Sequence, residues 1–194
     1  MLKKILMIAG PNGAGKTTMA LELMQSSSIF YEFINADEIA RGLAPRHPES
    51  VAITAGKLMI KRLNELLDAE KSFAFETTAS GINYVRYLKS ARAKGYEVSL
   101  TFLWLSNPDE AVKRVAQRVM QGGHHVSEET IIRRYYLGLK NLVTHYLPLV
   151  DEAWIVNNSL GESSKRLIAR KNKNNPLDIL DRAIWGKIEE IANE

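Results

Sequence analysis

Gly10-Pro11-Asn12-Gly13-Ala14-Gly15-Lys16-Thr17-Thr18 has the spacing G-x-x-x-x-G-K-[ST]. Glycines at these intervals let successive backbone N–H groups converge on an anion, a curl that a Cβ would obstruct. The lysine adds a compact positive charge, and the threonine hydroxyl is a hard oxygen ligand. Together they have the chemistry of a phosphate-binding loop. Lys16 reaches the β- and γ-phosphates of a nucleoside triphosphate, and Thr17 ligates Mg²⁺. The flanks agree. Ile5 to Ala9 is an apolar run of strand length, and Met19 to Met24 is a good helix former. Strand, glycine loop and helix start put a positive dipole end at the phosphates.

Phosphoryl transfer also needs a group to take a proton from the acceptor hydroxyl, and positive charge over the γ-phosphate. Asp37, past the expected strand Tyr31–Ile34, is the candidate base; the same position suits a helix N-cap. Glu76, past the expected strand Ser72–Phe75, is the candidate for a Mg²⁺ contact if that strand neighbours the first. It is preferred because Leu105-Ser106-Asn107 after the fourth strand offers no carboxylate. Thr77, Thr78 and Ser80 cluster hydroxyls beside Glu76, fit either for a polar substrate or for turn and cap roles.

Arg114, Arg118, Arg133 and Arg134 flank Gly122-Gly123-His124-His125, and Arg114 and Arg118 share a helix face at i and i+4. Two arginine-bearing helices joined by a glycine hinge read as a lid over residues 108–141, closing guanidinium groups over ATP. A solvated basic stripe is the other reading. Adjacent His124 and His125 lack the spacing of a helical zinc pair, and there is no cysteine to assist them.

These residues require a frame. Helical patterns are expected at Val51–Ala69, with Ile53, Leu58, Leu63, Leu66 and Leu67 on one face, and at Ile82–Lys94, stopped by Gly95. Val98–Leu105 is the longest apolar strand. Asn107-Pro108-Asp109-Glu110 is a helix start: a cap, a proline in first position, then acids. A further helix starts near Ser127, and Ala153–Val156 is strand five. Arg166–Ala169 and Leu177–Leu180 form an expected edge hairpin, followed by a helix from Asp181. Alternating strands and helices imply an α/β three-layer P-loop kinase fold, with a mainly parallel five-stranded sheet plus a C-terminal edge hairpin. Residues 1–194 then form one domain, with hairpin and last helix at 160–194. Ligands on such sheets bind beyond the carboxyl ends of the strands, where Gly10, Asp37 and Glu76 converge.

The chain is 45% hydrophobic and 25% charged, enough for an ample core, and its net charge of +4 suits anionic substrates. Without cysteine, disulfides, thiolate metal sites and thiol nucleophiles are excluded. The apolar run at the start is too short for a membrane span and has no cleavage site, so a cytoplasmic protein without membrane contact is expected. The basic stretch Lys165, Arg166, Arg170, Lys171 and Lys173 reads as a solvated edge strand, with no aromatic platform for nucleic acid.

Asn35-Ala36-Asp37-Glu38, Phe75-Glu76-Thr77-Thr78-Ala79-Ser80-Gly81 and the run from Arg114 to Val126 resemble the zeta-toxin family of small P-loop kinases, in its compact bacterial members. Ile132-Arg133-Arg134-Tyr135, Gly138 to Leu142 and the Trp154 strand extend the resemblance over about residues 1–160. It implies ATP-dependent phosphorylation of the sugar 3′-hydroxyl of UDP-N-acetylglucosamine, with ATP and Mg²⁺ as cofactors. On it, Lys16, Asp37, Arg118 and Arg134 are catalytic, and the loop Gly10 to Thr18 holds the nucleotide with Arg114 and Arg118. Glu76, Thr77, Thr78, Ser80 and Arg133 face the substrate, and Thr17 and Glu76 the metal. It also implies a separate antitoxin protein as partner. Rival readings are a kinase of another small-molecule or polynucleotide hydroxyl, an ATP-binding switch that phosphorylates nothing, and an RNA-binding module using the basic tail.

Overall fold

Continuous apolar runs make strands that bury both faces, and such strands belong at the centre of a parallel sheet. A computed structural model describes residues 2–26, 29–123, 125–159, 166–173 and 175–194. In it β1 (Lys3–Ala9) pairs in parallel with β4 (Tyr96–Trp104), every residue of which is buried. On the other side β1 pairs with β3 (Phe73–Thr77), and β3 with β2 (Glu32–Ile34). Beyond β4 lie β5 (Glu152–Asn157), parallel, then β6 (Arg166–Lys171) and β7 (Asp178–Ile179), both antiparallel. The sheet order is β2-β3-β1-β4-β5-β6-β7. This is the expected five-stranded parallel sheet with its hairpin, in a P-loop fold. The chain's direction across the sheet reverses at β1, and the phosphate loop leaves that strand at the switch point.

The alternation of β1 separates two apolar layers. Leu6 and Ile8 pack with Ala20 of α1 (Lys16–Ser26) and Ala74 on one face. Ile5 and Met7 join the larger core on the opposite face, with Phe73, Phe75 and Phe102. That core takes in α3 (Ala52–Asp68), α4 (Asn83–Ala93), α5 (Pro108–Met120), α6 (Glu128–Asn141) and α8 (Arg182–Asn193); α2 (Ala36–Leu43) lies between β2 and α3.

Local signals placed the ends well. Asn107 Oδ1 accepts from Glu110 N–H at 2.9 Å, with Pro108 first in α5. Gly95 follows α4 at φ +82°, and Asp181 caps α8. Three expectations are corrected. In α3 the buried face is Ala55, Met59, Leu63, Leu66 and Leu67, while Ile53 and Leu58 are exposed. Spacings of four and three fix that phase from the C-terminal half, and a 3₁₀ turn, Pro48–Val51, precedes the helix. The strand β3 runs on to Thr77, so Glu76 and Thr77 lie within it rather than past its end. The basic β6 is not an edge strand, because β7 covers it; Lys171 Nζ donates to Leu147 and Val150 carbonyls, and Lys173 meets Glu97 at 3.2 Å. Lys165 and His124 lie outside the described residues.

After Asn141 the helix widens into a π turn, Leu142–Tyr146, continued by the short α7 (Leu147–Leu149). It brings the buried Tyr146 hydroxyl onto Gly81 O at 2.5 Å. No helix among the described residues is long and apolar enough to cross a membrane.

Candidate functional site

The loop between β1 and α1 is drawn tight against its neighbours. At Gly10, φ is +141° and a Cβ would stand 2.4 Å from Leu103 O, so no other residue fits. Asn158 Nδ2 donates to Ala14 O at 2.8 Å, and Arg114 bonds Asn158 O at 2.6 Å, Gly13 O at 3.4 Å and Glu110 at 2.8 Å. Arg114 therefore braces the outer side of the loop and does not enter the cavity on its inner side. Thr18 is exposed on the first turn of α1.

The inner side is a cavity of about 160 Å³. Its lining brings together Asn12, Gly13 and Lys16 of the loop, Asp37 of α2, Glu76, Thr77 and Thr78 of β3 and its end, Arg118 of α5 and Arg134 of α6. Lys16 is buried; its Nζ donates to Pro11 O at 2.9 Å and lies 3.7 Å from Glu76 Oε1. Burial pushes the Lys16 ammonium below the usual lysine range, with Glu76 and Asp37 opposing that shift and Arg118 and Arg134 adding to it. Burial likewise lowers Arg134, against Asp37 and with Arg133; a guanidinium nonetheless stays charged. Arg133, one position away, is exposed and absent from the lining.

Thr17 Oγ1 donates to Glu76 Oε2 at 2.7 Å, because β3 is the neighbour of β1. A hydroxyl and a carboxylate at this distance are hard oxygen donors, the set that fits Mg²⁺. Glu76 Oε2 also accepts from Asn35 Nδ2 at 2.9 Å, and Asn35 Oδ1 accepts from Asp37 N–H at 2.8 Å. Asn35 is thus the N-cap of α2, the role weighed for Asp37, and it leaves the exposed Asp37 carboxylate at the cavity mouth. The pattern Asn-x-Asp-Glu after a strand carries the capping signal. Its second bond, to Glu76, has no local signal. Asn35→Ala should cost about 1 kcal/mol as a lost cap, and more where Glu76 loses its donor. Chemical denaturation, compared with Asn35→Asp, separates the two.

The hydroxyl cluster divides. Thr77 Oγ1 accepts from Ala79 N–H at 3.1 Å, a turn role, although Thr77 also lines the cavity. Thr78 and Ser80 hydroxyls bond each other at 2.8 Å, with Ser80 behind Thr78 rather than in the lining. This loop is held by α6. Asn141 Nδ2 donates to Ala79 O at 2.9 Å, and a Cβ on Gly138 would meet Thr78 O at 2.8 Å. Tyr135 hydroxyl donates to Leu105 O at 2.8 Å. Arg134 therefore projects from a helix pinned to the loop that bears Thr78. Tyr84 also lines the cavity, its hydroxyl pushed up to about 12 by burial, and its sequence position gives no hint of this.

Gly122 and Gly123 end α5 in a Schellman arrangement. Gly122 has φ +85° and its N–H reaches Val119 O, while Gly123 N–H reaches Arg118 O at 2.9 Å. The glycines thereby fix the turn on which Arg118 stands.

The fold is shared widely. It superposes on a chain of the PezAT chromosomal toxin-antitoxin system of Streptococcus pneumoniae with TM-score 0.61 and 13% identity, over 99% of this chain and 86% of that one. It superposes on a chain of the AvrRxo1-ORF1:AvrRxo1-ORF2 complex with TM-score 0.74 and 14% identity, over 96% of this chain and 63% of that one. That complex has also been solved with ATP, with TM-score 0.70. At these identities the likeness is one of fold. In sequence, an uncharacterized protein of Haemophilus influenzae is 28% identical over 135 residues, 70% of this chain and 94% of its own length. Residues 5–134, from the first strand to Arg134, match the family model described as AAA domain, and the chain belongs to that P-loop family.

Proposed function

We propose that this protein is an ATP-dependent phosphotransferase of zeta-toxin type, acting on a hydroxyl of a small nucleotide sugar, foremost the 3′-hydroxyl of UDP-N-acetylglucosamine. The observation that carries the reading is the cavity itself. A carboxylate at its mouth, Asp37, faces a buried ammonium and two guanidinium-bearing helices across a space lined by the phosphate loop. A switch that only binds nucleotide has no need of a solvent-accessible carboxylate beside the γ-phosphate position.

Each side chain then has a part. Lys16 draws the β- and γ-phosphates into the loop, and its burial strengthens the attraction. Asp37 takes the proton of the acceptor hydroxyl, and Thr78 orients that acceptor. Arg118 and Arg134 stabilise charge on the phosphoryl in transit. Thr17 and Glu76 would hold Mg²⁺, which when bound neutralises charge on the phosphate oxygens. Arg114 acts from behind, holding the loop in shape. Arg114 on α5 and Gly138 and Asn141 on α6 tie both arms of the lid segment to the loops that line the cavity. The PezAT likeness in fold and the zeta-toxin motifs support a separate antitoxin protein as partner.

Arg134→Ala should lower turnover by roughly 10²-fold, the scale of one lost transition-state donor. Arg133→Ala should stay within about twofold, as expected of an exposed side chain. Steady-state kinetics on the pair check this, and equal losses would move Arg133 into the site. The reading as a whole is tested by incubating the protein with ATP, Mg²⁺ and UDP-N-acetylglucosamine and seeking by mass spectrometry a product heavier by one phosphate. ATP consumed without that product would keep the transferase and discard the sugar; no consumption with any hydroxyl acceptor would discard both.

A further inference from the structure

Two carbonyls of the phosphate loop are held from its outer side, by residues that do not line the cavity. Gly13 O accepts from Arg114 at 3.4 Å, and Ala14 O accepts from Asn158 Nδ2 at 2.8 Å. In a trans peptide unit the N–H lies opposite the C=O. Whatever holds Ala14 O outward therefore aims the N–H of Gly15 inward. That N–H makes no hydrogen bond among the described residues. Its neighbours are already committed: Ala14 N–H donates to Pro11 O at 3.2 Å, and Gly15 O accepts from Met19 N–H at 3.0 Å as α1 begins.

The unit between Ala14 and Gly15 is also one that can turn over. Gly15 has φ +82°, and rotating the unit by half a turn carries it to negative φ, which glycine enters as readily. Ala14 would only pass between two broadly allowed regions. The turned unit would present a carbonyl oxygen to the phosphates in place of a donor. From this geometry we infer that Asn158 is a positioning residue for nucleotide binding. Its carboxamide locks the Ala14–Gly15 peptide unit with the donor facing the cavity. The assignment rests on the loop being the nucleotide site and is independent of the acceptor.

Asn158 is itself held firmly enough for this role. Its N–H donates to Trp104 O at 2.9 Å and its carbonyl accepts from Arg114 at 2.6 Å, while Arg114 is fixed by Glu110 at 2.8 Å. The side chain thus projects from a main chain tied on one side to β4 and on the other to α5. A Cβ on Gly15 would stand 3.0 Å from Asn158 Nδ2, so the amide reaches the loop closely only because a glycine is there. A bond that merely finished the end of β5 would have the same length. The two roles differ in whether nucleotide affinity depends on the donor.

The experiment titrates the β,γ-imido analogue of ATP with Mg²⁺ calorimetrically into the full chain and its variants, with thermal unfolding of each measured without nucleotide. Asn158→Ala should weaken the analogue roughly tenfold, the worth of one hydrogen bond that keeps a donor on an anion. Asn158→Asp is the sharper case. It keeps the size of the side chain and the main-chain carbonyl that Arg114 uses, and it adds a charge near that guanidinium, so Tm should change little. A carboxylate cannot donate to Ala14 O and repels it, so affinity should fall by roughly tenfold or more. Asp181→Ala removes the N-cap of the distant α8; it should lower Tm and leave affinity within about twofold. Unchanged affinity in Asn158→Asp, or affinities that follow Tm across all three variants, would overturn the assignment. A wild type that binds no nucleotide would remove the nucleotide reading and the assignment with it. A wild type that binds, matched by its Asn158 variants, would remove the assignment alone.

Discussion

Lys16→Ala is expected to abolish phosphoryl transfer, by about 10³-fold or more, while making the nucleotide-free protein more stable. The two effects share one cause. The Lys16 ammonium is buried with one carbonyl bond and a carboxylate 3.7 Å away, and desolvation outweighs the attraction of Glu76 and Asp37. Removing it deletes a charge the folded state holds at a cost, while Glu76 keeps Thr17 and Asn35 as donors. A gain of about 1 kcal/mol, or a few degrees in Tm, is expected from the relief of an incompletely compensated polar group. The pH dependence follows from the direction of the shift. With the folded value lowered, the unfolded chain binds more protons between the two values. The wild type therefore gains stability as pH rises through that window, and the advantage of the variant shrinks there. Thermal unfolding with and without ATP reads both effects. Lower stability together with lost activity would make Lys16 a structural anchor through its bond to Pro11.

Asp37→Asn is expected to lower turnover about 10²-fold or more and to leave ATP affinity within about twofold. The substitution keeps the shape and the main chain of α2, whose cap is Asn35 rather than Asp37. What it removes is the only function assigned to the carboxylate, acceptance of the acceptor's proton. A stopped assay with saturating ATP and acceptor, paired with nucleotide titration, separates chemistry from binding. Full acceptor phosphorylation by Asp37→Asn would sink the base assignment. ATP loss that is slow, insensitive to acceptors and unchanged by the substitution would instead favour a switch.

Sequence alone determined what local physics determines. The phosphate loop, the Asn107 cap with Pro108, the stop at Gly95 and the final hairpin follow from interactions spanning a few residues, and each stands where its residue types require. The strand–loop–helix order also implied the parallel sheet and the crevice, because crossover handedness leaves little choice. Tertiary structure decided everything that depends on where distant elements meet. Thr17 and Glu76 touch across 59 residues only because β3 docks beside β1. Helix phase, not residue type, turned Arg134 into the cavity and left Arg133 in solvent. Packing of its C-terminal half rotated α3 away from Ile53 and Leu58, and a two-residue partner made the basic β6 an interior strand. Asn35 joins the two regimes: its cap is a local event, legible in the chain, whereas its bond to Glu76 exists only once two strands have been laid side by side.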